Sequence, residues 1–219
     1  MRKVTRTDFE LICQGSQALT ADKHGIKVLR LADGRLVKLF RRRHRLSSAV
    51  WRPHAVRFVN NAEALRKLGL RTVEVLDVFH IPKLRRHAVL YRPLYGQPLE
   101  EVFADAKATE RDDLLRKTAE FLADLHRRGV LFRSLHMGNI ILGTDGVLGL
   151  IDVADMRLKG RPLTIRERKR NWRHFLRRPS DRCVLERFGM HRFVCHYASA
   201  SGLPLVKSSE LIDWMKKQA

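Results

Sequence analysis

Apolar and polar residues alternate in short segments through the first third of the chain. The pattern is typical of half-buried strands, and it predicts three of them, at Ala18–Lys23, Ile26–Ala32 and Arg35–Arg41. Asp22-Lys23-His24-Gly25 and Asp33-Gly34 separate these segments. Because Asp-Gly is a strong signal for a hairpin turn, we expect neighbouring strands to pair antiparallel.

A helix and two more strands follow. Within Phe58–Gly69 the apolar residues recur at helical spacing, and Gly69 fits a C-terminal cap. The next apolar segments, Val73–Ile81 and His87–Arg92, predict strands. The two prolines of Pro93–Pro98 then interrupt regular structure, which indicates a boundary between two parts of the chain.

Helical spacing dominates beyond this boundary. We therefore expect a β-rich lobe at 1–94 and a mostly helical lobe at 95–219, together an α+β fold. The clearest helix is Thr109–Arg128, and Thr109 with Asp112 predicts a capping box at its start. Its predicted buried face consists of Leu114, Leu115, Thr118, Phe121, Leu122 and Leu125.

Two later segments also have helical spacing. In Ile165–Arg178 the apolar residues lie near one face among many arginines. Such a helix can lie on an anionic membrane surface, or it can pack in the core with a solvated basic face. A last short helix is predicted at Ser208–Met215, with Trp214 facing inward.

The stretch LFRSLHMGNIILGTDGVLGLIDVAD, at 131–155, is the most informative part of the sequence. It reads as a polar loop, a strand at Ile140–Leu142, a turn, and a second strand at Val147–Ile151. Such a hairpin holds Asn139 and Asp152 at neighbouring strand ends. An amide oxygen and a carboxylate there suit Mg²⁺, although an ordinary buried hairpin with polar ends has the same local pattern.

Composition narrows the classes of protein. Lys and Arg outnumber Asp and Glu by 44 to 23, giving a net charge of +21, and this favours nucleic acid, anionic lipid or phosphorylated substrates without choosing among them. Because no nucleic-acid recognition motif is present, we regard that partner as unlikely. No apolar run reaches the length of a membrane helix and no apolar signal segment is visible, so we expect a cytoplasmic protein.

The three cysteines are too few and too scattered for a disulfide framework. Cys183, His191, Cys195 and His196 lack the paired spacing of a zinc site, so we expect no metal there. Two dense basic clusters stand out, at 41–45 and at 166–178.

The stretch at 131–155 resembles the catalytic core of the protein-kinase-like superfamily. Phe132-Arg133-Ser134 occupies the position of H-R-D, Asn139 follows five residues after Ser134, and Asp152 occupies the position of the D-F-G aspartate. The resemblance implies a two-lobed kinase-like fold. It also implies that Asn139 and Asp152 bind Mg²⁺, and that Ser134 stands where the catalytic Asp is found.

The same resemblance assigns roles in the first lobe. Lys38 lies between apolar neighbours on a strand and looks like the lysine that grips ATP phosphates; the alternative is a solvated lysine. Glu63 on the following helix is then its expected ion-pair partner, or else an exposed residue paired with a neighbouring base. Gly25 is the glycine available for a loop over the phosphates, and the segment near Tyr95 is expected to meet the adenine ring.

His136-Met137-Gly138-Asn139 is most similar to the L-H-x-G-N loop of the bacterial kinases of lipopolysaccharide-core sugars. The sequence resembles still more the toluene-tolerance proteins grouped beside them, in which a Ser also appears in this loop. That grouping implies ATP, Mg²⁺ and a heptose or Kdo hydroxyl as acceptor. It also implies an anionic glycolipid as partner and peripheral contact with the inner membrane.

Two departures from the kinase pattern leave alternatives open. Ser134 replaces the base, and Ala154 replaces the D-F-G glycine. Losing a general base lowers the reaction rate by about 10²–10⁴-fold, so slow catalysis is compatible with Ser134. Asp155 is a candidate substitute base. The alternative is a kinase-like protein without phosphotransfer, which binds nucleotide or a partner in envelope stress or solvent tolerance.

Overall fold

The structure, a computed structural model, describes residues 1–41 and 53–217. Of the basic cluster predicted at 41–45, only Arg41 lies within the described residues. The chain divides into two compact units, Met1–Leu94 and Tyr95–Ala219. In the described part of the chain, no helix is both long and apolar enough to cross a bilayer.

The first unit is built on a six-stranded sheet with strand order β1-β6-β7-β4-β3-β2. All of its neighbouring strands pair antiparallel except β1 and β6, which are parallel. The elements of this unit are β1 (Arg2–Lys3), α1 (Arg6–Ile12), β2 (Gln17–Asp22), β3 (Gly25–Arg30), β4 (Leu36–Arg41), α2 (His54–Lys67), β5 (Arg71–Thr72), β6 (Glu74–Ile81) and β7 (Arg86–Arg92).

Successive side chains along β4 point to opposite faces of the sheet. Val37 points into an apolar cluster that α1 covers through Phe9, and both side chains are buried. On the other face, α2 packs through Phe58, whose ring centroid lies 5.9 Å from that of Phe40 and 5.4 Å from that of Tyr91. The predicted β-rich lobe with one main helix is therefore present, and α1 is a shorter second helix.

The predicted end of α2 is confirmed. Gly69 has φ +71°, a left-handed conformation that glycine adopts at little cost. Its amide donates to the carbonyl of Arg66 at 2.9 Å, and the Leu70 amide donates to the carbonyl of Leu65 at 2.9 Å. These bonds satisfy carbonyls that the helix leaves without an internal partner.

The second unit is mostly helical. Its strands are β8 (Gln97–Pro98), β9 (Val130–Phe132), β10 (Ile140–Leu142), β11 (Leu148–Leu150) and β12 (Met156–Leu158). Its helices are α3 (Leu99–Asp105), α4 (Arg111–Arg127), α5 (Ile165–Phe175), α6 (Pro179–Phe188), α7 (Met190–Ala200) and α8 (Leu205–Lys216). Short 3₁₀ helices lie at Ala108–Glu110, Met137–Asn139 and Val153–Asp155.

The predicted capping box of the long helix is not formed. A 3₁₀ turn at Ala108–Glu110 precedes α4, and Glu110 accepts a hydrogen bond from the Lys107 amide at 2.9 Å. Because this turn precedes the helix, α4 begins at Arg111. Thr109 and Asp112 therefore do not cap α4. The predicted apolar face of α4 is buried except for Phe121, which is half-buried.

A buried cation lies at the centre of the second unit. Arg168 on α5 is 2% exposed, and its guanidinium donates to the carbonyls of Leu163 at 3.0 Å and Ser201 at 3.1 Å. It also contacts the Tyr197 hydroxyl at 3.2 Å, and that oxygen lies 2.6 Å from Nδ1 of His126. Burial, with the nearby Arg168 charge, lowers the pKa of His126 to about 3, so this histidine is neutral at pH 7.

We expect Arg168→Met to destabilise the protein by about 2–4 kcal/mol, because it leaves two buried carbonyls without a donor. Chemical denaturation followed by circular dichroism measures this change. Arg166→Met on the same helix is the matched control, because Arg166 is exposed and its loss changes stability by within about 0.5 kcal/mol. Equal stability of the two variants would show that the Arg168 network does not support the fold.

Candidate functional site

The hairpin predicted in the stretch at 131–155 is present. β10 covers the predicted residues, and β11 is one residue shorter at each end than predicted. The register pairs Ile140 with Leu150, and the turn closes through the Gly143 amide and the Val147 carbonyl at 3.0 Å. The Ile151 amide donates to the Asn139 carbonyl at 3.0 Å, so Asn139 and Asp152 lie at adjacent ends of the two strands.

The side chain of Asn139 fixes the loop that precedes it. Asn139 is 7% exposed, and its Nδ2 donates to the backbone carbonyl of Ser134 at 2.8 Å. Because the amide nitrogen is committed to this bond, Oδ1 is the atom left to accept a donor or bind a cation. An amide oxygen is a ligand that Mg²⁺ accepts.

Asp152 has an unusual backbone conformation. Its φ of +52° and ψ of +43° place it in the left-handed region, where non-glycine residues are uncommon and aspartate is tolerated better than most. Such conformations cost about 1–3 kcal/mol and concentrate at functional sites. Asp152 is the residue predicted to bind metal, and it lies two residues after the end of β11.

The chemistry of this pair fits Mg²⁺ better than zinc. Asn139 and Asp152 supply one amide and one carboxylate, both hard oxygen ligands. Among residues 1–41 and 53–217, no group of three or more His, Cys, Asp or Glu side chains is placed to hold a metal ion. Mg²⁺ is commonly bound through one or two protein carboxylates together with substrate phosphates, whereas structural zinc needs four protein ligands.

Asp155 lies beside the residue that precedes Ser134. β12 pairs antiparallel with β9, and the Arg133 amide donates to the Asp155 carbonyl at 3.0 Å. The Arg133 guanidinium lies 4.0 Å from the Asp155 carboxylate. The second unit therefore brings Ser134, Asn139, Asp152 and Asp155 to one loop region, where Ser134 and Asp155 are half-buried.

Two buried side chains anchor the same loop, and the sequence pattern did not reveal either one. Asn171 on α5 accepts from the Phe132 amide at 2.9 Å and donates to the Phe132 carbonyl at 3.1 Å. Asp181 on α6 accepts from the Met137 amide at 2.7 Å. These bonds hold the backbone on both sides of Ser134, and both anchoring side chains are at most 1% exposed.

An ion-paired group surrounds the glycine of the loop. The Arg178 guanidinium lies 2.9 Å from the Glu100 carboxylate and 2.9 Å from Nδ1 of His136. A Cβ added at Gly138 would lie only 2.7 Å from Oε1 of Glu100, so a larger residue there would require the Glu100 carboxylate to shift. Burial lowers the pKa of His136, and the positive charge of Arg178 lowers it further. Both effects favour the neutral form of this histidine.

In the first unit, Lys38 and Glu63 lie in different surroundings, and their ion pair stays a prediction. The Lys38 ammonium lies 5.9 Å from the ring centroids of Phe40 and Phe58, on the face of the sheet that α2 covers. Glu63 is exposed, because the buried face of α2 passes through the adjacent Ala62 rather than through Glu63. Asn61, which lies one turn beyond Phe58, is half-buried.

The other two predicted cofactor residues lie at the start of a strand and in an irregular segment. Gly25 has φ +101° and begins β3, next to a turn that Arg86 supports by donating to the carbonyls of His24 and Ile26. Tyr95 opens the second unit and is 69% exposed. Nucleotide contacts by Gly25, Lys38, Glu63 and Tyr95 stay predictions.

We expect Asp181→Asn to keep the fold, because an amide oxygen can still accept from the Met137 amide. Burial raises the pKa of Asp181, so the folded state loses stability as the pH rises above the ordinary pKa of an aspartate, about 4. The stability of Asp181→Asn relative to wild type should therefore increase between about pH 4 and pH 7 in denaturation curves. A difference that is independent of pH would contradict this assignment, and Asp181→Ala, which loses the acceptor, should be about 2 kcal/mol less stable than Asp181→Asn.

No model of a known protein family matches the sequence, and no curated protein matches it. The fold matches 1680 chains of solved structures, so it is widespread and does not select an activity by itself. One match is the bifunctional kinase-methyltransferase WbdD, at a TM-score of 0.54 and 15% sequence identity, covering 93% of this chain and 46% of that chain. The chain thus spans less than half the length of this neighbour, and the similarity confirms the predicted two-lobed kinase-like fold.

Proposed function

We propose that this chain is an ATP- and Mg²⁺-dependent phosphotransferase of the lipopolysaccharide-core sugar kinase type, acting on a heptose or Kdo hydroxyl. The kinase-like fold supports the reaction class. The observation that carries the proposal is the Asn139–Ser134 hydrogen bond at the end of the hairpin, since it leaves an amide oxygen for a metal beside Asp152. The resemblance of the L-H-x-G-N loop to core sugar kinases supports the choice of acceptor.

Mg²⁺, when bound, would neutralise charge on the phosphates of ATP. Asn139 Oδ1 and the Asp152 carboxylate are its proposed protein ligands. The buried anchors Asn171 and Asp181 would keep the loop in one geometry, which matters because phosphoryl transfer depends chiefly on positioning and on electrostatic stabilisation. Lys38, Gly25 and Tyr95 are proposed to contact the phosphates and the adenine ring.

The residue at the position of the catalytic base differs from that of the usual kinase pattern. A serine hydroxyl is a far weaker base than a carboxylate at neutral pH, so Ser134 would orient the acceptor hydroxyl rather than remove its proton. Asp155 is the proposed substitute base, because its backbone carbonyl and its carboxylate both lie next to Arg133, the residue before Ser134. The basic surface of the protein suits an anionic glycolipid acceptor.

A second function is favoured by one specific observation. Ser134 lacks the carboxylate of the usual base. A kinase-like protein with this feature would bind nucleotide or a partner without transferring phosphate, in envelope stress or solvent tolerance. The two functions predict different transfer rates when an aspartate is restored at position 134.

We expect Asp152→Ala to lower phosphate transfer from ATP to purified core oligosaccharide by about 100-fold or more, because it removes a metal ligand at the reacting phosphates. Transfer of labelled γ-phosphate and ATP binding with and without Mg²⁺ measure the effect. Asp105→Ala is the matched control, since Asp105 is an exposed carboxylate at the end of α3. Undiminished transfer or Mg²⁺-dependent binding in Asp152→Ala would refute the proposed metal site.

Restoring the base gives the second test. If the scaffold is competent, Ser134→Asp should raise the transfer rate by about 10²-fold or more, within the usual contribution of a general base. Ser134→Ala controls for the loss of the hydroxyl and should leave the slow rate within about tenfold of wild type. ATP binding without transfer in both wild type and Ser134→Asp would instead establish the non-catalytic alternative.

A further inference from the structure

The exposed side of α5 carries an uninterrupted stripe of arginines. On α5 they recur at i, i+4 and i+7, the spacing that aligns side chains along one face of a helix. The arginine stripe consists of Arg166, Arg170 and Arg173 on α5 and of Arg177 in the turn that follows the helix, all exposed. At 1.5 Å per residue its helical part extends about 10 Å, while the opposite side of the helix is buried through Arg168, Asn171, Trp172 and Phe175.

The stripe has little counter-charge of its own. The acidic residue of α5, Glu167, lies 2.9 Å from Lys159 and 2.9 Å from Arg161, both outside the stripe. Within the part of the chain that the structure describes, the guanidiniums of Arg166, Arg170 and Arg177 have no ion-pair partner. Four adjacent like charges repel one another, so the arrangement gains stability when an external anion lies against it.

Helix α8 packs alongside α5 in the same direction. Lys169 pairs with Glu210 at 2.5 Å, and the guanidinium of Arg173 lies 5.4 Å from the Trp214 ring centroid. Both contacts join residues that are 41 positions apart, so the two helices run parallel in a constant register. A cavity of about 450 Å³ at their N-terminal ends is lined in part by Arg166 and Lys207.

The first turn of α8 exposes two aliphatic side chains beside this cavity. Leu205 is 86% exposed and Val206 is 83% exposed, whereas Leu211 and Met215 fill the buried side of the same helix. We call Leu205 and Val206 the aliphatic pair. Because α8 keeps its register with α5, the aliphatic pair lies near the N-terminal end of the arginine stripe.

We propose that the arginine stripe and the aliphatic pair together form a docking surface for an anionic lipid bilayer. Guanidinium groups bind lipid phosphates through paired hydrogen bonds, and aliphatic side chains gain free energy by entering the boundary between headgroups and acyl chains. A soluble polyanion would use the stripe but would leave the aliphatic pair in water. Exposed Asp213 and Glu210 on α8 are outnumbered by the cations, and Glu210 is already paired.

Vesicle binding of the full chain tests this proposal independently of any catalytic activity. The protein is sedimented with vesicles of phosphatidylcholine mixed with phosphatidylglycerol, and with vesicles of phosphatidylcholine alone. Each arginine near an anionic membrane contributes about fivefold in affinity, so Arg166→Gln with Arg170→Gln should lower partitioning about 25-fold. Leu205→Ser with Val206→Ser should lower it about tenfold or more, because two apolar side chains are lost.

Arg182→Gln with Arg187→Gln on α6 is the matched control, since it makes the same charge change at exposed positions of another helix in the same unit. This control should bind within about twofold of wild type. Partitioning that does not depend on phosphatidylglycerol, or equal losses in the control and in the stripe variant, would overturn the proposal. Wild-type binding by the Leu205→Ser, Val206→Ser variant would also overturn it and would indicate a site for soluble polyanions.

Discussion

The candidate site depends on the hydrogen bonds that hold the backbone between Phe132 and Asn139. Asn139 binds the carbonyl of Ser134, Asn171 binds both polar groups of Phe132, and Asp181 binds the amide of Met137. All three side chains are buried, so each bond forms away from competing water and each is costly to lose. A loop of this length would otherwise sample many conformations, and the oxygen of Asn139 would have no fixed direction.

This arrangement explains why a helical unit surrounds a small hairpin. Helices α5 and α6 bring Asn171 and Asp181 to the loop, while β10 and β11 place Asn139 and Asp152 at neighbouring strand ends. The left-handed backbone of Asp152 is a strained conformation that the rigid surroundings maintain. The site is thus formed by packing within the second unit, and the positively charged exterior of α5 stays available for interactions of another kind.

Periodic patterns predicted most elements, because burial on one side imposes a period of two on strands and 3.6 on helices. They located β10 at its observed residues and α2 within a few residues. They missed α1 and α3, since seven residues are too few to display a period, and they also missed α6 and α7. They also missed Arg168, Asn171 and Asp181, because polar residues are normally assigned to the surface, and burial of such groups depends on partners distant in sequence. Glu63 is exposed because one position along a helix turns a side chain by about 100°, and the buried face of α2 passes through Ala62.

The central claim is that Asn139 and Asp152 together hold the divalent cation of a bound nucleotide. Mn²⁺ is a paramagnetic substitute for Mg²⁺, and it broadens the NMR signals of nuclei close to it. In a ¹⁵N-labelled sample containing ATP, replacing Mg²⁺ by Mn²⁺ should selectively broaden the side-chain amide of Asn139 and the backbone amide of Asp152. If both signals remain sharp while ATP is bound, the hairpin does not hold the metal, and the claim is wrong.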